Sequence, residues 1–410
     1  MKVVVVGGGV VGLACAFELV RAGAEVVVLD RGEVGAGASR GNTGWVCPSL
    51  THPLPGPGTV GEGIRAAFHL TGPLAVRPSL DPGYLRWLWR FRAHCTRERW
   101  REGVRALARL NERTIELLDD YAGAGVVFEA YGAGLLLAAR SEAKLASYRE
   151  LFAELRSLGA ATYRELGPAE TQDAEPSLDR GLAGALLTEI DRWVRPESLT
   201  AALAGWLRAN GAEVREHAEV RAVTGSRVET SAGQIACDRV VVASGIASSP
   251  FIASLGVRVT LAPARGYSVL YTGATVPAPR HALYLADALL GLSAYDRSLR
   301  LAGVFELGHH ELELDERRLG AMLASADPFF ADWRPSREPP ASRWVGLRPL
   351  TSDGLPLIGP TPRDRHVFVA TGHGMLGVTL APATAALLTP LVLEGRAHSS
   401  LEPFDPARAP

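Results

Sequence analysis

The sequence predicts an α/β protein: one domain built on parallel strands, and a second, α+β domain built on a mainly antiparallel sheet. Three observations predict it. A valine run, Val3 to Val6, enters the glycine-rich turn Gly7-Gly8-Gly9-Val10-Val11-Gly12 at the start of the chain. A second apolar run, Val367 to Thr371, enters another such turn, Gly372-His373-Gly374-Met375-Leu376-Gly377, near its end. Between them, short segments of alternating polarity separated by turns, such as Gly266 to Tyr271 and Leu299 to Glu306, read as antiparallel strands.

The first turn has the G-x-G-x-x-G spacing at Gly7, Gly9 and Gly12. The missing Cβ atoms permit a sharp turn, let backbone N–H groups approach a pyrophosphate, and let helix pack against strand. That pattern is weak alone, but its surroundings support it. Val3 to Val6 reads as a buried parallel strand, and Val10, Leu13, Ala14, Phe17 and Val20 recur at helical spacing. A second run, Val26 to Leu29, stops at Asp30, 18 residues beyond Gly12, where a carboxylate can accept from both ribose hydroxyls of an adenosine. These pieces complete a βαβ unit of Rossmann type, and a dinucleotide is the first ligand to consider.

Composition narrows the remaining classes. The 410 residues suffice for two to three domains with real cores, and a net charge of −1 supplies no field for nucleic acid. Only Lys2 and Lys144 are lysines among 43 basic residues, so any single arginine begins as a structural residue. The four cysteines have no C-x-x-C spacing, and a reducing, cytoplasmic location fits them. Met1-Lys2, the apolar stretch after it and Ala14-Cys15-Ala16 imitate a signal peptide, but Asp30 makes sense only with the glycine turn, which reads as mature structure. No uninterrupted apolar run reaches the ~18 residues that span a bilayer.

The loop Gly35 to Gly44, rich in small residues, has the character of a ligand-binding loop. A Pro/Gly-rich connector follows Thr51-His52, and Tyr84 to Tyr121 reads as largely helical. Gly132 to Ala139 is a predicted strand, and Ser141 to Leu158 a helix capped by Ser141. A helix runs to Leu207, Ala212 to Thr224 reads as one strand, and Arg227 to Gly245 as a hairpin ending in the buried run Val240 to Gly245. The expected segments of the nucleotide-binding domain are 1–60, 195–248 and 344–398. Those of the second domain are 61–194 and 249–343, with 399–410 as a tail.

In this order the chain resembles the flavoprotein family of D-amino acid dehydrogenases, with glycine oxidase and D-amino acid oxidase as broader relatives. The likeness runs nearly end to end. It rests on Gly7 to Asp30, Ser39-Arg40-Gly41-Asn42-Thr43-Gly44, Arg265-Gly266-Tyr267-Ser268, Trp344 through Gly359, and Thr371 through Thr379. Two departures stand out. Asn42-Thr43-Gly44 replaces the Asn-Ala-Gly often found in related dehydrogenases, and Gly374-Met375 stands where glycine oxidases place an arginine after Gly-His. The second departure favours the dehydrogenase branch.

The resemblance implies non-covalent FAD, with a substrate domain roofing the flavin. The expected cofactor contacts are Gly7, Gly9, Val10, Val11, Gly12, Asp30, Arg31, Ser39, Asn42, Thr43 and Gly44 from the first segment. Val220, Gly245 and Gly346 join from the middle of the fold, and Gly372, Gly374, Met375, Gly377, Val378 and Thr379 from the last turn. The helix after Gly377 would direct its positive end at the flavin.

In amino acid oxidation the carboxylate must be pinned, and a planar guanidinium matches it bidentately. Arg348 stands where the resembling families place that clamp. Tyr267 is the second candidate, as a hydroxyl on the carboxylate or as a packed strand residue. Arg265 shares its side of the strand and is a weaker candidate, for the carboxylate or merely for a neighbouring acid, and His52 either lines the pocket or is a solvated loop residue. His373 is placed at the flavin, as a shaping group or a base.

The implied reaction takes hydride from the Cα of a D-amino acid to flavin N5, giving a 2-oxo acid and ammonia, with electrons passing to a quinone or similar carrier. Three alternatives stay open: an O₂-using amine oxidase of the glycine or sarcosine oxidase type, a D-proline or D-hydroxyproline dehydrogenase, and a non-catalytic flavin-binding assembly module. Arg86 to Arg113 holds nine arginines against three glutamates, interleaved with Trp87, Trp89, Phe91 and Trp100. That composition suits either peripheral contact with the inner face of the cell membrane or packing of the rings against the substrate domain.

Overall fold

A computed structural model describes residues 1–61, 63 and 72–408. Its first sheet has six strands in the order Glu213–Arg215, Glu25–Leu29, Lys2–Val6, Arg239–Val242, Val367–Thr371 and Leu357–Pro360. All pairings are parallel except the last. The valine runs are continuous because both faces of the sheet are covered. Helices Val10–Arg21 and Gly377–Glu394 pack on one face, through Leu13, Phe17, Leu380 and Leu388. The hairpin sheet of residues 220–236 and helix Ser249–Ser254 cover the other, against Val4, Val27 and Val240. Helix Gly377–Glu394 is long and apolar enough by composition to cross a membrane, but it lies in this core.

The second sheet runs Ser342–Thr351, Leu261–Thr272, Ser298–Leu307, Leu290–Tyr295, Ala282–Leu285, Leu135–Ala139, Gly184–Thr188, Arg164–Leu166, with Leu74–Val76 paired to Ser298–Leu307. Helix Glu316–Ala326 covers one face through Leu319, Met322 and Leu323, which meet Tyr267, Val269 and Tyr271. A small sheet of Trp45–Val46, Arg192–Val194 and Ala130–Tyr131 ties the segments together.

Three elements differ from expectation. Ala212 to Thr224 is two strands in two sheets, because His217 takes a left-handed φ of 55° while its N–H and that of Ala218 bond to the carbonyls of Gly32 and Asp30. Ser342–Thr351 pairs with Leu261–Thr272 throughout, so the nine-stranded sheet extends past residue 344 to Thr351. Helices Arg97–Asn111 and Thr114–Gly123 lean on the six-stranded sheet's helices, with Tyr121 4.7 Å from Phe17 edge to face.

Candidate active site

A single cavity of about 1680 Å³ runs between the two sheets, larger than the roughly 300–1,000 Å³ of an ordinary small-molecule pocket. Of the expected cofactor residues, all but Gly12 and Gly44 line it. Gly12 and Gly44 serve the backbone instead. A Cβ on Gly12 would lie 1.9 Å from the Gly7 carbonyl oxygen, and one on Gly44 1.8 Å from that of Val194. Gly7, at φ 115°, has the same constraint: its Cβ would meet the Ala243 oxygen at 2.6 Å. The Ser39 hydroxyl accepts from the Val10 N–H at 2.9 Å, leaving the Val11 N–H outside the helix ladder and at the cavity wall. Asp30 accepts from the N–H groups of Gly8 at 2.7 Å and Gly32 at 2.9 Å. It therefore ties the glycine turn to the second strand and still has lone pairs for a ribose.

The loop after Asp30 is braced from within and without. Asn42 donates to the carbonyls of Ala38 and Ser39 and accepts from the Gly44 N–H at 2.7 Å. Its side chain thus shapes the loop, where a cofactor contact was expected. Arg300, ion-paired with Glu197 at 2.7 Å, donates to the Asn42 carbonyl, and Ser293 and Tyr295 donate to that of Thr43. Nothing in the spacing of Glu197 and Arg300 marks them in the sequence. Trp344 was also missed: its ring lies where Cβ atoms on Gly41 and Gly346 would stand, so those glycines make room for it.

At the far end, Gly372 and Gly374 take left-handed φ values of 77° and 58°, turning the chain into helix Gly377–Glu394. That helix has no side-chain cap and no acidic residue in its first turn, so its positive end is free for a ligand. Thr379 lines the cavity, yet its hydroxyl donates to the Trp45 carbonyl and accepts from the Cys47 N–H, stitching the two ends of the chain together. Burial pushes the Cys47 thiol pKa well up. His373 is buried, its Nε2 3.1 Å from the Thr384 hydroxyl, and burial lowers its pKa to about 3. Its low basicity makes it a weak proton acceptor, which suits a shaping role. His52 lines the cavity beside Trp100 and is likewise lowered by burial.

Arg348 reaches into the cavity from Ser342–Thr351, opposite Ala264. Its guanidinium lies across Gly266, donates to the Val304 carbonyl at 3.1 Å, and faces the Phe305 ring at 5.7 Å. Among the described residues it has no ion-pair partner, and burial lowers its pKa to about 10, leaving it charged. Tyr267 lines part of the cavity, yet for Tyr267 and Arg265 the contacts match the packed-strand and neighbouring-acid readings and not contact with a substrate carboxylate. Alternation along Leu261–Thr272 puts both on the face away from Ala264 and Gly266. There, under helix Glu316–Ala326, Arg265 pairs with Glu306 at 2.6 Å and the Tyr267 hydroxyl donates to the same carboxylate at 2.8 Å. Neither offers its polar group to a ligand beside Arg348.

Two glycine turns, two helix N-termini and the Arg348 guanidinium therefore meet in one cavity. The model of FAD dependent oxidoreductases matches residues 2–391. The chain belongs to that family. This FAD-dependent oxidoreductase is 33% identical over 415 residues to the D-amino acid dehydrogenase of Cereibacter sphaeroides, covering 97% of this chain and 92% of that protein. It is 31% identical over 411 residues to the D-amino acid dehydrogenase of Rhizorhabdus wittichii, covering 96% of each. Its fold matches glycine oxidase from Geobacillus kaustophilus with a TM-score of 0.78 at 23% identity, over 100% of this chain and 99% of that one. It also matches L-proline dehydrogenase from P. horikoshii with a TM-score of 0.73 at 19% identity, over 99% and 97%. The cofactor of the oxidoreductase is FAD, and the residues fit it: Gly7 and Gly9 line the cavity at the first turn, and both helix N-termini favour the negative charge of a pyrophosphate.

Gly12→Ala is expected to give folded but colourless protein, checked by flavin absorbance per chain beside far-UV circular dichroism. Full flavin content would contradict the fit. A buried histidine with a folded pKa of about 3 against 6.5 contributes stability that is complete above pH 6.5 and is lost as pH falls toward 3. His373→Gln is therefore expected to flatten the Tm against pH curve over that interval, and equal acid sensitivity of the two proteins would refute this.

Proposed function

We propose that this oxidoreductase oxidises D-amino acids to 2-oxo acids and ammonia and passes the electrons to a quinone or a similar carrier. The observation that carries the reading is Arg348, a half-buried guanidinium in the FAD cavity whose described neighbours supply no negative charge. A substrate carboxylate completes it, with two parallel charge-assisted hydrogen bonds that fix orientation as well as affinity. Once the carboxylate is pinned, the Cα–H has a fixed direction, and rigid placement of reacting atoms is itself a large part of a rate enhancement.

FAD supplies the hydride acceptor. The chain's own part is to bind, orient and exclude water. The substrate amine must arrive neutral so that its lone pair can follow the departing hydride, and the imino acid formed is then hydrolysed by water. No strong base is needed, in keeping with the weakly basic His373. Preference for the D-enantiomer is supported by the names of the curated relatives at 31–33% identity.

Anaerobic mixing with panels of D- and L-amino acids is expected to bleach the flavin with neutral D-amino acids and D-proline only. Bleaching by sarcosine or L-proline with D-isomers inert would favour an amine oxidase or an L-specific enzyme. Arg348→Met is expected to retain FAD and to lose ~3–5 kcal/mol in kcat/KM for the best substrate, because the carboxylate would then be buried unpaired. Near-native kcat/KM would place the clamp elsewhere.

The acceptor side rests on helix Pro82–His94. Trp87 is buried and stacks on Phe91 at 5.2 Å, and Trp100 packs by His52, so most of the aromatic stripe is core. Leu80, Leu85 and Trp89, the last 67% exposed, remain outward among Arg86, Arg90 and Arg92, a composition suited to an anionic membrane surface. Co-sedimentation with anionic vesicles at low salt, lost at high salt and in Trp89→Ser, is the expected result. Protein that stays in the supernatant and reduces O₂ as fast as quinone would overturn this part.

A further inference from the structure

The face of the nine-stranded sheet turned away from the cavity carries a charge cluster that no part of the reaction explains. Glu306 is 1% exposed. One of its oxygens accepts from Arg265 Nε at 2.6 Å and from the Tyr267 hydroxyl at 2.8 Å, and the other lies 3.0 Å from Arg318 Nε. Tyr267 Oη in turn accepts from the Asp315 N–H at 3.3 Å, and Arg265 donates to the Glu311 carbonyl. A buried cluster of this kind is a poor source of stability compared with apolar packing, so a role in fixing one geometry is the reading to pursue.

The geometry it fixes is a β-bulge. Arg265 pairs with Glu306, but Tyr267 pairs with Gly303, so Val304 and Phe305 oppose Gly266 alone. Val304 takes φ 60°, a value that a β-branched residue rarely adopts. This strained residue presents its carbonyl to Arg348, whose guanidinium lies across Gly266, the residue the bulge faces. Tyr267 spans the bulge: its backbone holds one end at Gly303, and its hydroxyl holds the other at Glu306. Relaxed to an extended conformation, Val304 would turn its carbonyl away and leave the guanidinium free to swing.

We infer that Glu306 is a positioning residue, which with Tyr267 locks the Val304 bulge from the far side of the sheet and so aims Arg348 at the substrate carboxylate. The inference rests on the reading of Arg348 as the clamp. It is independent of which side chain the substrate carries.

The test uses the FAD-loaded enzyme and two probes that cannot be oxidised, propionate and propionamide, read by perturbation of the flavin spectrum. Glu306→Gln and Tyr267→Phe are expected to weaken propionate roughly 10–100-fold, the scale of a small misplacement of a binding group, with propionamide unchanged. Should Glu306→Gln fail to fold, Tyr267→Phe, which removes one hydroxyl only, carries the same expectation. Adding Val304→Gly is expected to restore propionate binding, since glycine holds φ near 60° without strain. Unchanged propionate affinity in the variants would overturn the inference. So would a loss shared equally by propionamide, or one that Val304→Gly does not reverse. Native-like propionate affinity in Arg348→Met would instead strike the clamp reading itself.

Discussion

A guanidinium drawn partly out of water with no counter-charge among its described neighbours is costly, and one stands in the cavity of this oxidoreductase. Other buried arginines have their partners in the chain: Arg265 and Arg318 share Glu306, Arg300 has Glu197, and Arg408 has Asp353. Among the described residues Arg348 has only a carbonyl and a ring face. Its charge is held in place by the pairing of its edge strand with Leu261–Thr272, by the room that Gly266 leaves, and by the bulge at Val304. A carboxylate entering the cavity supplies what the fold withholds, and the cost of burying the cation becomes selectivity for an anionic ligand group.

FAD binding solves a second electrostatic problem. Helices Val10–Arg21 and Gly377–Glu394 lie side by side in one core although they come from opposite ends of the chain. Their exposed N–H groups face the same cavity, where an anionic cofactor satisfies both. Thr379 adds a direct stitch by binding the Trp45 carbonyl and the Cys47 N–H. Because the cavity is lined by residues from three separated segments, cofactor binding there contributes to folding energy, and the apoprotein is expected to be the less stable form.

Much of this was legible in the sequence. The valine run, the G-x-G-x-x-G turn and Asp30 specify a βαβ unit by local chemistry alone, and the last glycine turn could be matched to it because both need positive φ or close backbone approach. Arg348 was legible only through its neighbours, since arginine is so abundant here. The roles of Arg265 and Tyr267 were not legible. Alternation places them on a common side, but which side faces the cavity depends on register with Ser342–Thr351 and on where helix Glu316–Ala326 packs. The loop-bracing part of Asn42 was not legible for a related reason: it lines the cavity as expected, but its partners, Ala38, Ser39 and Gly44, are local, and a loop's internal bonds look the same in sequence as a ligand site. The Trp-rich helices show that an arginine and tryptophan pattern cannot by itself separate a membrane face from a core, as the burial of Trp87 and Trp100 beside the exposed Trp89 makes plain.

The central claim is that Arg348 is incomplete without a ligand carboxylate, and a crystal structure of the FAD-loaded enzyme with propionate tests it most directly. Both carboxylate oxygens should lie about 2.7–2.9 Å from guanidinium nitrogens of Arg348, with the Val304 carbonyl still accepting from its Nη1 and Glu306 still bound to Arg265 and Tyr267. A carboxylate lodged elsewhere in the cavity, or one drawn to Arg265 with Glu306 displaced, would contradict the account.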